Sequence, residues 1–350
     1  MGSRSRHQRV FILGAGVSAS CGIAVAKDIL RDSILDLPDT QPDLAKPIHK
    51  LIGFLYPGFD VGLQNYPNIE DFLNLVEMGK VFNKEFIDSN YWTPLRLEEV
   101  RRNTLKVVTA YLWKKTEKRD ALLPLYDMAE RLFAQRSIVI TFNWDLTLER
   151  VWYDDDRDFD LEYIYPKKTS RPSFHLLKPH GSIDWFSKSD LKDADAFRNS
   201  ELVDPTVPFY YYPYFKLSKA PELIGKIPAI VPPIFLKEFL PYKQIWASVY
   251  KAIRNATELS IIGYSLPKED QFARFVLRRA LRNNIAKASE QKKPPLKVEV
   301  INPDPTVEGT FSALIGHRYG LPSSVQTEKA VAFRFIQARF DRYVESLIRG

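Results

Sequence analysis

The chain has 350 residues, 45% of them hydrophobic, which is enough to bury a large core in one domain or two. Its single cysteine, Cys21, excludes an intrachain disulfide and any zinc module built from several cysteines, and no run reaches the ~20 apolar residues of a membrane span. The basic N-terminus lacks the apolar segment of a secretory signal, so we expect a cytoplasmic protein, and the +7 charge, from 50 basic and 43 acidic residues, is a mild bias.

The first elements predicted are a strand, a glycine turn and a helix. The stretch "RVFILGAGVSAS" runs from apolar residues into a glycine turn, and "IAVAKDILRDSIL" follows with apolar residues at helical spacing. Helical patterns then dominate from about residue 44 to residue 135, where Asn68 is placed to cap a helix. We interpret residues 44–135 as a helical insertion between two strands of a sheet.

Strands and helices alternate after this insertion. Strands are predicted at "SIVITFN", "SFHLLKPH", "VPFYYYPYF", "IPAIVPP", "LSIIGYS" and "KVEVIN", and helices at "YKQIWASVYKAIRNA" and "DQFARFVLRRALRNN", followed by an exposed loop, "KASEQKKPPLK". The pattern predicts a doubly wound α/β fold with a mainly parallel, Rossmann-like sheet. We expect residues 1–8 to be a disordered tail and 9–350 a single domain, with a C-terminal helix at about 328–349.

The glycine turn "GAGVSA" is suited to binding phosphate. Gly14 and Gly16 allow the backbone to approach a pyrophosphate, and the following helix directs its first N–H groups toward it. A dehydrogenase would place an acidic residue at the end of a second strand, whereas Asp32 and Asp36 lie on or just after a predicted helix. An ordinary dehydrogenase is therefore disfavoured, and a turn required only for packing remains the alternative to phosphate binding.

Polar residues follow three further strands at their carboxyl ends. Asn143 and Asp145 stand in "FNWD", His180 precedes a glycine in "KPHGSIDW", and a turn follows in "IIGYSLPKED". The carboxyl edge of an open α/β sheet is where ligands bind. A turn and helix cap is the alternative for Asn143 and Asp145, while a lone histidine is more often structural. Trp144 and Trp185 are expected in the core.

Taken together and in order, "GAGVSASCGI", "TFNWD", "KPHGSIDW", "IIGYSLP" and "VEVINPD" resemble the sirtuin-like (silent information regulator type) NAD-consuming family. The resemblance spans about Val10 to Pro305. The "GYSLP" and "HGSIDW" forms are most similar to the prokaryotic branch, whose characterised members hydrolyse NAD in anti-phage defence. The zinc ribbon of protein-deacylating sirtuins is absent, so no metal is expected, and "GIAVAKD" replaces their "GIPDFR".

The resemblance implies NAD+ as substrate and a role for each motif. Asn143 would hold the nicotinamide ribose or the attacking water, Asp145 would accept from the nicotinamide carboxamide, and His180 would take a proton near neutral pH. The remaining candidates contact the cofactor. Gly14, Ala15, Gly16 and Ser18 would surround the pyrophosphate, Gly263 and Ser265 would line its other side, and Asn302 would meet the adenosine ribose.

The expected function is hydrolysis of NAD+ to nicotinamide and ADP-ribose in anti-phage defence. A protein deacylase or ADP-ribosyl transferase is the alternative enzyme, and an NAD or ADP-ribose sensor or interaction subunit is the non-catalytic one. A homo-oligomer is expected, with a contact face on the C-terminal helix formed by Phe333, Phe335, Phe340, Tyr343 and Leu347. A separately encoded translocase or nuclease would activate it, and direct nucleic-acid binding by this chain is not expected.

Overall fold

The computed structural model describes residues 8–37, 42–82, 91–117, 123–128, 137–154, 160–163, 173–188, 201–202, 209–211, 227–230, 242–291, 294–316 and 331–349. Of the tail expected at residues 1–8, only Gln8 falls within these ranges; it pairs with Thr257 through backbone and side-chain hydrogen bonds. No helix in the described ranges combines the length and the apolar character needed to cross a bilayer.

The secondary structure follows the predicted order of a strand, a set of helices and then alternating elements. The first part contains β1 (Arg9–Leu13), α1 (Ala15–Ser20), α2 (Ala26–Leu35), α3 (Pro42–Leu55), α4 (Ile69–Phe82), α5 (Pro94–Thr116) and α6 (Leu123–Met128). The second part contains β2 (Ile138–Thr141), α7 (Thr147–Asp154), β3 (Asp160–Tyr163), β4 (Ser173–Leu177), β5 (Trp185–Ser187), β6 (Glu201–Leu202), β7 (Phe209–Tyr211), α8 (Lys243–Asn255), β8 (Glu258–Ile262), α9 (Gln271–Glu290), β9 (Leu296–Ile301), α10 (Thr306–Gly316), β10 (Val331–Ile336) and α11 (Phe340–Arg349).

Seven strands form one sheet in the order β10-β9-β8-β1-β2-β4-β3, and every pairing in it is parallel. After β1, the chain adds β2, β4 and β3 on one side of β1, and it later adds β8, β9 and β10 on the other side. The direction in which strands are added therefore reverses at β1. Such a reversal opens a crevice at the carboxyl edge of the sheet. The expected Rossmann-like α/β fold is confirmed, and the crevice lies between the ends of β1 and β8.

The helices between β1 and β2 have an apolar core of their own. Residues such as Ile48, Phe72 and Leu105 are fully buried in it, and Trp144 and Ile183 from the sheet's carboxyl-end loops pack into the same cluster. The helical layer therefore covers the edge where the crevice opens. Asn68 accepts a hydrogen bond from the Glu70 N–H at 2.8 Å, the capping contact predicted for α4. The division into one domain with an insertion stays a prediction.

The predicted C-terminal helix at 328–349 is wrong over residues 331–336. This segment is β10, which pairs in parallel with β9, and the helix α11 begins only at Phe340. In "VAFRFI", large apolar residues alternate with small or charged ones, which is the two-residue period of a β-strand. Pairing with the edge of the sheet favours the strand over the predicted helix. Phe340 and Tyr343 are buried in the chain's own core, so they do not form the expected oligomer face.

Other predicted boundaries also shift. Of "IPAIVPP", residues 227–230 form only an isolated bridge between Ile230 and Gly181, because its prolines cannot donate to a ladder. Of "VPFYYYPYF", the described part is β7, which belongs to a separate antiparallel sheet ordered β5-β7-β6. The rest of both segments lies outside the described residues. Helix α9 continues to Glu290, into the predicted loop.

Candidate functional site

A cavity of about 620 Å³ lies at the carboxyl edge of the sheet, under the helical layer. Nine of the ten predicted site residues line it, from five separate strand ends: Ala15, Gly16, Ser18, Asn143, Asp145, His180, Gly263, Ser265 and Asn302. Gly14, the tenth, lies against the backbone of the Gly263 turn. Asn68 and Glu70 add a border from the start of α4.

The two glycine turns of the cavity are in direct backbone contact. The Gly16 N–H donates to the Gly263 carbonyl at 2.9 Å, and the Gly14 N–H donates to the Ile262 carbonyl at 3.0 Å. A Cβ on Gly16 would lie 2.8 Å from the Gly263 Cα, and Gly263 has a φ of +63°, which favours glycine. These glycines are therefore needed for packing, which was the alternative to phosphate binding. Their contact brings the ends of β1 and β8 together at the cavity wall.

Asn143 is held by two hydrogen bonds that orient its amide. Its Nδ2 donates to the Gly14 carbonyl at 3.0 Å and to the Ser18 Oγ at 2.7 Å. Because a carbonyl can only accept, these contacts identify the nitrogen end of the amide, and both of its hydrogens are used. The Asn143 Oδ1 accepts no hydrogen bond from the described residues. It is therefore the atom available to accept from a hydroxyl or a water in the cavity.

Asp145 serves as an anchor for the turn and for Ser18. Its Oδ2 accepts from the Ser18 hydroxyl at 2.6 Å, and its Oδ1 accepts from the Thr147 N–H at 3.1 Å and the Thr147 hydroxyl at 2.6 Å. These bonds place Asp145 at the start of α7, which is the capping alternative. Three protein donors already engage the carboxylate, so the geometry favours an anchoring role for Asp145 over contact with nicotinamide.

A buried charged cluster lies behind this loop, and the sequence reading missed it. The Lys178 ammonium, with no exposed surface, donates to the main-chain carbonyl of Asp145 at 2.6 Å and to the Glu149 Oε1 at 2.8 Å. Burial, and next the charge of Glu149, raise the pKa of Asp184 to about 7 against the opposing effect of Lys178. Lys178 and Asp184 both stand in "KPHGSID" around His180, and that spacing was the available signal.

His180 pairs with a carboxylate that the sequence reading did not select. Its Nε2 lies 2.9 Å from the Asp270 Oδ2, and both side chains are buried. The Phe142 ring meets the imidazole edge-on at 5.1 Å between centroids. A carboxylate at this distance orients the imidazole and stabilises its protonated form. Asp270 ends the quoted turn "IIGYSLPKED", but nothing in the sequence indicated which partner it would meet.

Asp270 is itself held in position by two further contacts. Its Oδ1 accepts from the Ala273 N–H at 3.3 Å as the cap of α9, and its Oδ2 lies 3.3 Å from the Tyr264 hydroxyl. Burial, and then the charges of Asp270 and Glu70, raise the pKa of Tyr264 well above its ordinary value. Tyr264 therefore stays a neutral donor to the carboxylate. Its ring stacks on Phe142 at 4.3 Å, which completes an aromatic wall beside His180.

The cavity wall carries further charges. Glu70 and Glu269 line it together with Asp145 and Asp270, while Lys27 contributes a cation. Within the described ranges, no group of three or more His, Cys, Asp or Glu side chains is arranged to hold a metal ion.

Comparison with solved structures returns Sir2 proteins over nearly the whole chain. A Sir2 homologue mutant in complex with ADP-ribose has a TM-score of 0.42 at 12% identity, covering 99% of this chain and 92% of its own. Sir2Tm bound to a propionylated peptide has a TM-score of 0.37 at 11% identity, covering 99% and 93%. No family model and no curated protein matches the chain. With TM-scores below 0.5, these alignments carry no argument about activity.

Proposed function

We propose that this chain is an NAD+ glycohydrolase that releases nicotinamide and ADP-ribose. The main observation behind the proposal is that two reactive groups line the same cavity. They are the Asn143 amide oxygen, which can accept a hydrogen bond, and the His180–Asp270 pair, which can accept a proton. The cavity volume of about 620 Å³ falls within the range of about 300–1,000 Å³ for small-molecule sites. The motif resemblance supplies the identity of the substrate.

The charges of the cavity suit a ligand with a cationic end and an anionic middle. Glu70, Glu269 and Asp270 are among the acidic residues that line the cavity, and they would attract the positively charged pyridinium of NAD+. The backbone at Gly16 and Gly263 would lie along the pyrophosphate, and Lys27 supplies a cation elsewhere in the cavity lining. We assign the adenosine ribose to Asn302, which lines the cavity at the end of β9.

The proposed reaction breaks the bond between ribose C1′ and the nicotinamide nitrogen. The bonding electron pair moves to that nitrogen, so a cationic pyridinium leaves as neutral nicotinamide and positive charge develops on the ribose. A water oxygen then bonds to C1′ and its proton passes to His180, whose imidazolium Asp270 stabilises. The Asn143 Oδ1 accepts from that water or from a ribose hydroxyl, which orients the reacting groups.

The biological role proposed for this activity is depletion of NAD+ in anti-phage defence. It follows from the motif forms "GYSLP" and "HGSIDW". We further propose a homo-oligomer and a separately encoded activating partner, since unrestrained hydrolysis would exhaust the host's own cofactor. Phe340 and Tyr343 are buried within the chain and cannot supply the oligomer contact, whereas Phe333, Phe335 and Leu347 are only partly buried and stay candidates for it.

One assay separates the candidate activities. The purified protein is incubated with NAD+, with and without an acyl-lysine peptide, and the products are resolved by chromatography and mass spectrometry. Release of nicotinamide and ADP-ribose without peptide supports the glycohydrolase. Release that requires the peptide indicates a deacylase, ADP-ribose attached to protein indicates a transferase, and saturable NAD+ binding without products indicates a sensor.

Variants of the two central residues test the mechanism. His180→Ala and Asn143→Ala are each expected to lower turnover by at least about 10²-fold, the typical loss of an acid–base or orienting group. The control is His49→Ala, since His49 contacts Tyr66 at 2.8 Å in the helical layer and does not line the cavity. Near-normal turnover in either folded site variant would reject the assignment.

A further inference from the structure

The net charge of the chain is concentrated on two helices. Helices α8 and α9 together contain eight lysines and arginines and one acidic residue, Glu290. Removing them from the chain's 50 basic and 43 acidic residues leaves 42 of each. The two helices therefore carry a net charge of +7 between them, and the rest of the chain sums to zero, although α5 by itself contains six basic and two acidic residues.

Five of these cations are exposed and form no ion pair within the part of the chain that the structure describes. Lys243, Lys251 and Arg254 on α8, and Arg278 and Arg279 on α9, are solvent-exposed and form no salt bridge with any described residue. We call these five residues the α8–α9 basic face. Some exposed cations on other helices are neutralised locally, as Lys46 is by Asp43 and Lys114 is by Asp36, whereas Arg102 on α5 is exposed and forms no salt bridge with a described residue. The basic face lacks such neutralisation.

The two helices lie side by side and run in the same direction. The Asn284 Nδ2 donates to the carbonyls of Ile253 and Ala256 at 2.8 Å, near one end, and the Trp246 and Phe272 rings meet at 4.8 Å near the other. Lys243, Lys251 and Arg254 recur at the spacing of one helix face. The free cations therefore stand on the solvent side of one continuous two-helix surface.

Contrary to the expectation from the sequence, we propose that the α8–α9 basic face binds the phosphate backbone of a nucleic acid. The cores of protein–protein interfaces are depleted of lysine, glutamate and aspartate and are enriched in aromatic residues, methionine and arginine. The basic face is instead made of unpaired cations, which is the composition that neutralises successive phosphates. An acidic protein surface is thus the less favoured partner. The proposal goes beyond NAD+ hydrolysis and does not depend on it.

One exposed aromatic residue on the same helix bears on the form of the nucleic acid. Phe275 is 62% exposed and precedes Arg278 and Arg279 by one helical turn. An exposed ring among cations can stack on a base of a single strand, whereas a duplex hides its bases from such a ring. If Phe275→Ala weakens binding to single-stranded DNA and leaves duplex binding unchanged, the ligand is single-stranded. If Phe275→Ala changes neither affinity and the chain binds duplex DNA more tightly than single strands, the ligand is a duplex.

The test is fluorescence anisotropy of the full chain with labelled DNA of about 20 nucleotides, single-stranded and duplex, over a range of salt concentrations. Arg278→Glu/Arg279→Glu is expected to weaken binding by at least about tenfold and to reduce the slope of log affinity against log salt by about 2. The matched control, Arg102→Glu/Lys106→Glu on α5, changes the net charge equally, and its affinity is expected to stay within about twofold of wild type.

Three outcomes would overturn the proposal. They are absence of binding at about 50 mM salt, equal weakening by both double variants, and competition by polyglutamate as strong as that by unlabelled DNA. The last outcome would indicate an acidic protein surface. Circular dichroism and thermal melting check that each variant is folded. NAD+ turnover of Arg278→Glu/Arg279→Glu is measured without DNA, so that a failure of the binding proposal can be told apart from a failure of the proposed enzymatic function.

Discussion

Replacing Lys178 by methionine tests whether a buried charge holds the Asn143–Asp145 loop. The Lys178 ammonium is fully buried and bridges the Asp145 carbonyl and the Glu149 carboxylate, which is 1% exposed. Methionine fills similar space, but it leaves the carboxylate without its cation. Breaking a buried ion pair on one side costs about 3–5 kcal/mol, and we expect a loss of unfolding free energy of this size.

Replacing the other partner, in Glu149→Gln, is expected to lower the free energy of unfolding by less than Lys178→Met does, for a reason specific to this cluster. The charge of Glu149 is one of the causes that raise the pKa of Asp184 to about 7. Glu149→Gln removes that charge, so Asp184 ionises more readily and supplies a replacement anion for Lys178. The double variant Lys178→Met/Glu149→Gln should regain at least about 1 kcal/mol over Lys178→Met, because neither partner is then left charged.

Urea unfolding followed by tryptophan fluorescence at about pH 8 measures these differences. The matched control is Lys297→Met, since Lys297 is 71% exposed in its 3.1 Å pair with Glu258 and a surface pair contributes under about 1 kcal/mol. NAD+ turnover of Lys178→Met should also fall, because Asp145 loses the donor to its carbonyl. A loss below about 1 kcal/mol for Lys178→Met, or strict additivity in the double variant, would contradict the buried-pair reasoning.

Other predictions address the remaining parts of the site. Because the folded pKa of Asp184 lies above its ordinary value, wild-type stability should fall as pH rises from about 4 to about 7, and Asp184→Asn should flatten that fall in urea unfolding at several pH values. Gly263→Ala, with its Cβ 2.7 Å from the Val17 nitrogen and a positive φ, should lose about 2 kcal/mol or more and bind NAD+ more weakly, whereas Gly309→Ala, where the Cβ meets nothing within 4 Å, should not. Asp270→Asn keeps an α9 cap but loses the anion beside the imidazole, so kcat should drop by about 10²-fold with little change in KM; an unchanged kcat would remove Asp270 from the mechanism. Chelator treatment should leave nicotinamide release intact, and loss restored by added Zn²⁺ or Mg²⁺ would reveal a metal site.

Local patterns in the sequence were sufficient to predict the frame of the fold. Apolar runs ending in glycine or polar residues identified β1, β2, β4 and β8, and the alternation of strands and helices predicted the parallel sheet. Because the carboxyl ends of parallel strands share one edge, Ser18, Asn143 and His180 could be expected near one another. These inferences depend only on residues close together in the chain, where periodicity and turn chemistry are informative.

Tertiary packing decided the rest, because it depends on contacts between distant residues that no local pattern encodes. The partner of His180 is Asp270, 90 positions later, and that pairing follows from where α9 begins relative to β4. The helix predicted at 331–336 became β10 because β9 offered a free edge, which outweighed local propensity. Likewise, the sequence shows the basic residues of α8 and α9, but their common solvent-exposed face forms only when the two helices pack side by side, since proximity in space sets the field that a partner meets.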